Sequence, residues 1–260
     1  MNTDILKIGG SVVTDKKSGR PMLRARAQEI AREVARARLK KKGHLIILYG
    51  GGSFGHPLAY RHRLRDRSLS VEALVGAGYT ISSMRELGNH LAALFLDVGI
   101  PVVPLQTSSF VSMRRGRLHF SHTMIETILK NGGVPLLGGD VVFSDRRTAI
   151  ASADTLAAKL AKKFKKTRLF FATDVDGVYT AFPPRINERP IAVLDRVTLK
   201  NLLKRPRANN EGTDVTGAMQ GKLRALLDVH STTAMIFNGN TRGVIVEVLS
   251  GKKKGTQIRL

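Results

Sequence analysis

The apolar run Leu45-Ile46-Ile47-Leu48-Tyr49 stops on Gly50-Gly51-Gly52 and continues as Ser53-Phe54-Gly55-His56. No other stretch restricts the fold as much. A strand that is apolar at every position has to be buried on both faces, which is the habit of a parallel sheet covered by helices. The glycines then allow a sharp passage from strand into helix and leave backbone N–H groups open to a phosphate oxygen, with His56 on the rim. A second junction of the same kind opens the chain, where Ile5-Leu6-Lys7-Ile8 runs into Gly9-Gly10-Ser11. Two anion cradles at strand ends point to two phosphates, and so to phosphoryl transfer.

The rest of the first 180 residues repeats this alternation. Strand-like runs at 5–8, 45–49, 101–105, 134–137 and 169–172 are separated by amphipathic patterns at 23–41, 71–96, 124–129 and 155–164. That order predicts an α/β fold, a three-layer sandwich with a central, mostly parallel sheet and helices on both faces. Short β-like pieces at 110–112, 118–120 and 141–143 read as hairpins projecting near the ligand edge. After residue 180 the pattern loosens; a helix is expected over 216–229 and final strands over 234–237, 244–248 and 256–260. A single domain over 1–260 is expected, with an acceptor-binding lobe over about 1–175 and a nucleotide-binding lobe over 176–260.

Composition removes several chemistries. Without cysteine there is no disulfide, thiolate zinc site or cysteine nucleophile. No apolar run approaches the roughly 20 residues that span a bilayer, and the first residues lack the pattern of a signal peptide, so a cytoplasmic protein without membrane contact is expected. The net charge of +23 invites a polyanion. Its basic runs are scattered, however, and aromatic residues make up only 5%, so stacking on nucleic-acid bases has little support and a solvated surface is the plainer reading.

Neither a Walker A loop nor the protein-kinase motif set is present. In their place stand Lys7-Ile8-Gly9-Gly10-Ser11, Gly50 to His56, Gly138-Gly139-Asp140, Ser152-Ala153-Asp154, Thr173-Asp174-Val175-Asp176-Gly177 and Asp214-Val215-Thr216-Gly217 followed by Lys222. In this order the motifs resemble the amino acid kinase family, and the Gly-Gly-Gly-Ser-Phe-Gly-His form resembles the branch that acts on isopentenyl phosphate. The resemblance implies an open α/β sandwich carrying out ATP-dependent phosphorylation of isopentenyl phosphate to its diphosphate, with Mg²⁺ carried on ATP, no metal bound by the protein alone, and MgATP over the C-terminal half. A homodimer is compatible with it.

Residue roles follow from the resemblance together with charge. Transfer of a phosphoryl group asks for positioned cations and N–H donors more than for a covalent nucleophile. Lys7, Lys16 and Lys222 fit that demand, with Asp154 as the carboxylate that holds lysines in place; Lys17 is an alternative to Lys16. ATP is expected against Lys7, Gly9, Gly10, Ser11, Gly52, Asp174, Gly177, Gly217, Ala218 and Lys222. The acceptor is expected against Gly51, Gly52, Gly55, His56, Gly139 and Asp140, with Tyr79, Val141 and Ile150 facing its apolar tail or simply serving as core. His56 can donate to a monophosphate dianion, whereas a carboxylate beside phosphate repels it, so Asp140 is expected to order His56 or loop N–H groups. Asp176 reads equally as a turn residue with Gly177. Two positions depart from the family pattern: Thr155 where many members carry a second Asp, and Ala218 where a glycine is common. Rival readings are another small-acceptor kinase of the same family, acting on a phosphonate, a carbamate, an amino-acid carboxylate or UMP, and a basic nucleic-acid-binding protein on the same scaffold.

Overall fold

The computed structural model describes residues 2–15, 22–39, 43–65, 67–164, 166–180, 184, 187–204 and 215–260. In chain order the elements are β1 (Thr3–Ile8), α1 (Gly10–Val13), α2 (Arg24–Leu39), β2 (His44–Tyr49), α3 (Gly52–Arg61), α4 (Val71–Asp97) and β3 (Val102–Leu105). There follow α5 (Thr107–Phe110), β4 (Ser112–Arg114), β5 (Arg117–His119), α6 (Thr123–Lys130), β6 (Val134–Gly138), β7 (Asp140–Phe143) and β8 (Thr148–Ala151). The last are α7 (Ala153–Lys163), β9 (Thr167–Thr173), β10 (Val193–Leu194), α8 (Arg196–Lys204), α9 (Val215–Leu227), β11 (Thr233–Asn238), α10 (Val244–Leu249) and β12 (Thr256–Arg259).

The main sheet has the order β10-β12-β11-β9-β1-β2-β6-β3. Its pairings from β11 through β3 are all parallel, and β12 runs antiparallel to β11. As expected of a strand buried on both sides, β2 sends alternate residues to opposite faces. Leu45, Ile47 and Tyr49 join one core with α2, α4 and α10, while Ile46 and Leu48 join the other with α6, α7 and α9. A smaller sheet, β5-β4-β7-β8, takes up the pieces expected as hairpins, pairs 141–143 with the unforeseen strand β8, and stands beyond the end of β6.

Register gathers the glycine junctions. Ile8 pairs with Tyr49 and Ala172, Tyr49 with Gly138, and Thr173 with Asn238. The strands therefore end together, so the turns after them share one carboxyl edge, where open α/β sheets bind ligands. Backbone bonds latch that edge: the N–H of Gly9 donates to Ala172 at 2.8 Å, that of Gly139 to Tyr49 at 3.0 Å, and that of Gly239 to Thr173 at 2.7 Å.

Two expected strands take another form. Residues 244–248 belong to helix α10, because Val244, Ile245, Val248 and Leu249 are the buried positions, a helical spacing that overrides the β preference of branched side chains. Residues 107–110 form the turn of helix α5, and β4 begins only at Ser112. In the loosened stretch after residue 180, β10 and α8 were not foreseen. Among the described residues no helix is long and apolar enough to cross a membrane.

Candidate active site

Two steps separate Ile5 from Lys7 on β1, so both face the layer of α7 and α9. Lys7 lies inside the strand and pairs in register with Leu48 and Phe171. From α7, capped by the Ser152 hydroxyl accepting from the N–H of Thr155 at 3.1 Å, the first turn delivers Asp154 to this spot. From α9 comes Lys222. The Asp154 Oδ1 accepts from Lys222 Nζ at 2.7 Å and meets Lys7 Nζ at 3.2 Å. Lys222 Nζ also stands 4.8 Å from the centre of the Phe171 ring, a cation–π contact.

Both lysines are buried, at 8% exposure for Lys7 and 3% for Lys222. One carboxylate cannot neutralise two ammonium groups, so the cluster retains a positive charge in a dry place, where it attracts an anion more strongly than in water. Burial pushes Lys222 down to about 8, against the pull of Asp154. Burial by itself would raise Asp154, but Lys222 and then Lys7 hold it down at about 2, so it is ionised.

Beside this cluster the two glycine junctions touch. A methyl group on Gly10 would collide with the backbone N and Cα of Gly52, and Gly52 itself has φ of 48°, a left-handed backbone that favours glycine. Thr14, which the sequence reading missed, ties the junctions: its hydroxyl donates to the Gly10 carbonyl at 2.7 Å and accepts from the Ser53 N–H at 3.0 Å. Ser53 Oγ is buried and has no hydrogen-bond partner among the described residues. A cradle with an orphaned hydroxyl in its floor fits an incoming phosphate oxygen. Gly55 is also required by packing, since a methyl there would come 2.8 Å from Met84 Sδ on α4. His56 follows on α3 and is exposed; Gly51 is half-buried and Ser11 sits in α1.

Asp140 begins β7 directly after Gly139 and is 4% exposed. Its carboxylate accepts from Gln106 Nε2 at 2.6 Å, from the N–H of Ser108 at 3.2 Å and from that of Val141 at 2.9 Å. Asp140 thus holds the Gln106 side chain and the N–H groups of Ser108 and Val141. Burial raises its pKa and these donors oppose the rise. Gln106 in turn accepts from Arg85 Nε at 2.9 Å; neither had a signal in the sequence. Val141 and Ile150 meet in a small apolar cluster with Leu64, Ala77, Ile81 and Phe143. Tyr79 is instead 60% exposed, its ring stacked on His62 at 6.2 Å.

On the other flank, Asp174 and Asp176 are exposed after β9, and Asp176 accepts from Asn238 Nδ2 at 2.8 Å. Gly177 is packed against Thr256 and Pro190. Gly217 and Ala218 lie in the first turns of α9. Lys16, Lys17 and Asp214 fall outside the described residues, as does the side chain of Ala218.

The family model of the amino acid kinase family matches residues 2–238. The chain belongs to the amino acid kinase family. It is 36% identical to an isopentenyl phosphate kinase of Methanothermobacter thermautotrophicus over 98% of both chains. A second enzyme of that name, from Methanocaldococcus jannaschii, is 31% identical over 98% of this chain and 97% of its own. Among solved structures, an isopentenyl phosphate kinase 32% identical in sequence superposes with a TM-score of 0.83, covering 99% of this chain and all of the other. The glycine-rich turns after β1, β2, β6 and β9 that carry the family resemblance thus stand on one edge of the sheet.

Proposed function

We propose that this chain is an ATP-dependent kinase that converts isopentenyl phosphate to isopentenyl diphosphate by direct in-line transfer. The observation that carries it is the contact of the two glycine junctions beside a buried Lys7–Asp154–Lys222 cluster of net positive charge. The acceptor follows from the names of the relatives that match along the full chain and from the histidine that ends the second junction.

In this reading the acceptor-binding side is about 1–175 and the nucleotide-binding side 176–260. An oxygen of the acceptor phosphate, already ionised near neutral pH, attacks the γ-phosphorus. As that bond forms, the bond from γ-phosphorus to the bridging oxygen breaks and ADP leaves, so no strong general base is needed. Lys7 and Lys222 hold the β- and γ-phosphate oxygens, with Lys16 as the further cation at the transferring group, and the N–H groups of Gly9 to Ser11 and Gly52 bind phosphate oxygens. Asp154 keeps the two ammonium groups from turning away. Asp174, Gly177, Gly217 and Ala218 border the nucleotide. Gly51, Gly52, Gly55, His56, Gly139 and Asp140 surround the acceptor phosphate, with His56 orienting it, and Val141, Ile150 and Tyr79 flank the alkyl tail.

Mg²⁺ on the nucleotide neutralises charge on the phosphates. The donor set suits a cation that arrives with its phosphates: the Asp154 carboxylate is shared by two ammonium groups, and among the described residues no three His, Asp or Glu side chains gather to hold a metal.

The deciding experiment is a coupled ADP-release assay offering isopentenyl phosphate, dimethylallyl phosphate, fosfomycin, carbamate and UMP to the purified chain. Isopentenyl phosphate is expected to give the highest kcat/KM, and His56→Ala to lower it by about ten- to a hundredfold through loss of a charge-assisted hydrogen bond. Full activity of the His56→Ala variant, or preference for another acceptor, overturns the assignment.

A further inference from the structure

The loop 239–243 follows β11 on the same edge as the glycine junctions; the family resemblance extends to its first residues through Phe237-Asn238-Gly239-Asn240 but gives them no role. Its polar contacts come largely from α2. Arg26, in the first turn of that helix, donates from Nε to the Gly239 carbonyl at 2.9 Å and from Nη2 to the carbonyls of Gly239 and Thr241. Two turns on, Glu33 is 1% exposed; its Oε1 accepts from the Gly243 N–H at 2.9 Å and its Oε2 from the Ile245 N–H at 2.9 Å. Arg26 Nη1 closes the circuit on Glu33 Oε1 at 3.2 Å and on Glu29 at 2.9 Å. A buried carboxylate and a guanidinium thus grip opposite polarities, the first the N–H groups where the loop enters α10 and the second the loop's carbonyls.

Two more contacts show what the grip aligns. Asn238, the residue just before the loop, donates to Asp176 and accepts from the N–H of Asn240 at 2.9 Å. Gly239 packs so closely on Ala172 and Val12 that a methyl there would come 2.9 Å from the Ala172 Cβ. The loop therefore abuts both the turn after β9 and the first glycine junction. A buried ion pair is a poor source of stability by itself, because desolvation cancels most of the attraction. It does give one geometry where the five-residue loop 239–243 would otherwise sample many.

We infer that Arg26 and Glu33 are positioning residues for the nucleotide, acting through loop 239–243 without touching the substrates. The inference rests on the reading that places ATP on this flank of the edge. A clamp of this kind affects one substrate only: the acceptor lies on the other side of β1, against α3 and β7.

Steady-state kinetics on Arg26→Ala, Arg26→Lys and Glu33→Gln test it, with the ADP dissociation constant of each from isothermal titration and folding checked by thermal melting. Glu33→Gln keeps the shape and one acceptor oxygen where Glu33→Ala would leave a hole. Arg26→Ala is expected to raise the KM for ATP and the Kd for ADP by about tenfold, with the KM for isopentenyl phosphate within twofold of wild type, and Arg26→Lys to recover part of the loss. Equal changes in both KM values, or a lower melting temperature with neither KM altered, makes the clamp structural only and overturns the inference. Wild-type protein that does not bind ADP refutes the nucleotide placement itself, a result separate from wild-type binding with unchanged variants.

Discussion

Lys222 joins the burial, charge and chemistry of the site in one side chain. Its ammonium form is the one that can hold a phosphate oxygen, and burial pushes its pKa down to about 8 from 10.5. Because the required form is protonated, activity is lost as pH rises. The kcat/KM for ATP, which reports the free enzyme, is therefore expected to fall as pH passes about 8, and kcat at a higher pH, because bound triphosphate favours the charged amine. Lys222→Arg keeps its charge throughout and should remove the alkaline limb, although its fork does not reproduce the single contact to Asp154. A wild-type profile flat to pH 10 rules this out. At this scale the sequence was informative where backbone needs a particular residue. Gly10 and Gly52 meet where no side chain fits, and Lys7 stands two residues before its glycines. It was silent on Thr14, Gln106, Arg26 and Glu33, because a polar side chain gripping a distant loop leaves no local spacing to read.

Helix α4 shows the same division for an element. Its 27 residues begin at Val71, capped by Ser70, whose hydroxyl accepts from the Ala73 N–H at 3.2 Å, a start the sequence pattern placed correctly. Its inner side presents Met84 to Gly55 and its backbone carbonyl at Met84 to the Tyr49 hydroxyl at 3.2 Å, which sets α3 tightly against it. On its outer side Gly78 faces open space with ordinary backbone angles, so there only the entropy cost of glycine remains. Gly78→Ala is expected to stabilise the protein by about 0.5–1 kcal/mol, a rise of roughly 1–4 °C in Tm for a chain of this size, read by thermal melting. A drop in Tm would mean that this face is covered in solution. Helix α10 is the counterexample: Val244-Ile245-Val246 reads as strand by composition, yet Glu33 takes up the N–H groups at its start and α2 receives its apolar side. Local preference lost there to a partner more than 200 residues away.

Charge acts on the molecule as a whole. At +23 the folded chain repels itself, while several of its ion pairs, such as Lys254 to Glu247 at 3.1 Å, are exposed and contribute little. Raising salt from about 10 mM to about 150 mM shortens the screening length from about 30 Å to about 8 Å, which weakens the repulsion more than the few pairs. Tm is therefore expected to rise over that range; a fall would show that the pairs dominate. The sequence alone determined the layers, the parallel sheet and the family, because runs apolar at every position and glycines at strand ends are local and have few folds to serve. The resemblance put Asp154 together with lysines; only the tertiary structure decided the geometry and burial in which those charges meet. Asp154 and Lys222 are separated by 67 intervening positions, and they meet because β1, α7 and α9 pack on one face of the sheet. Proximity of that kind is set by how elements stack, and sequence distance does not encode it.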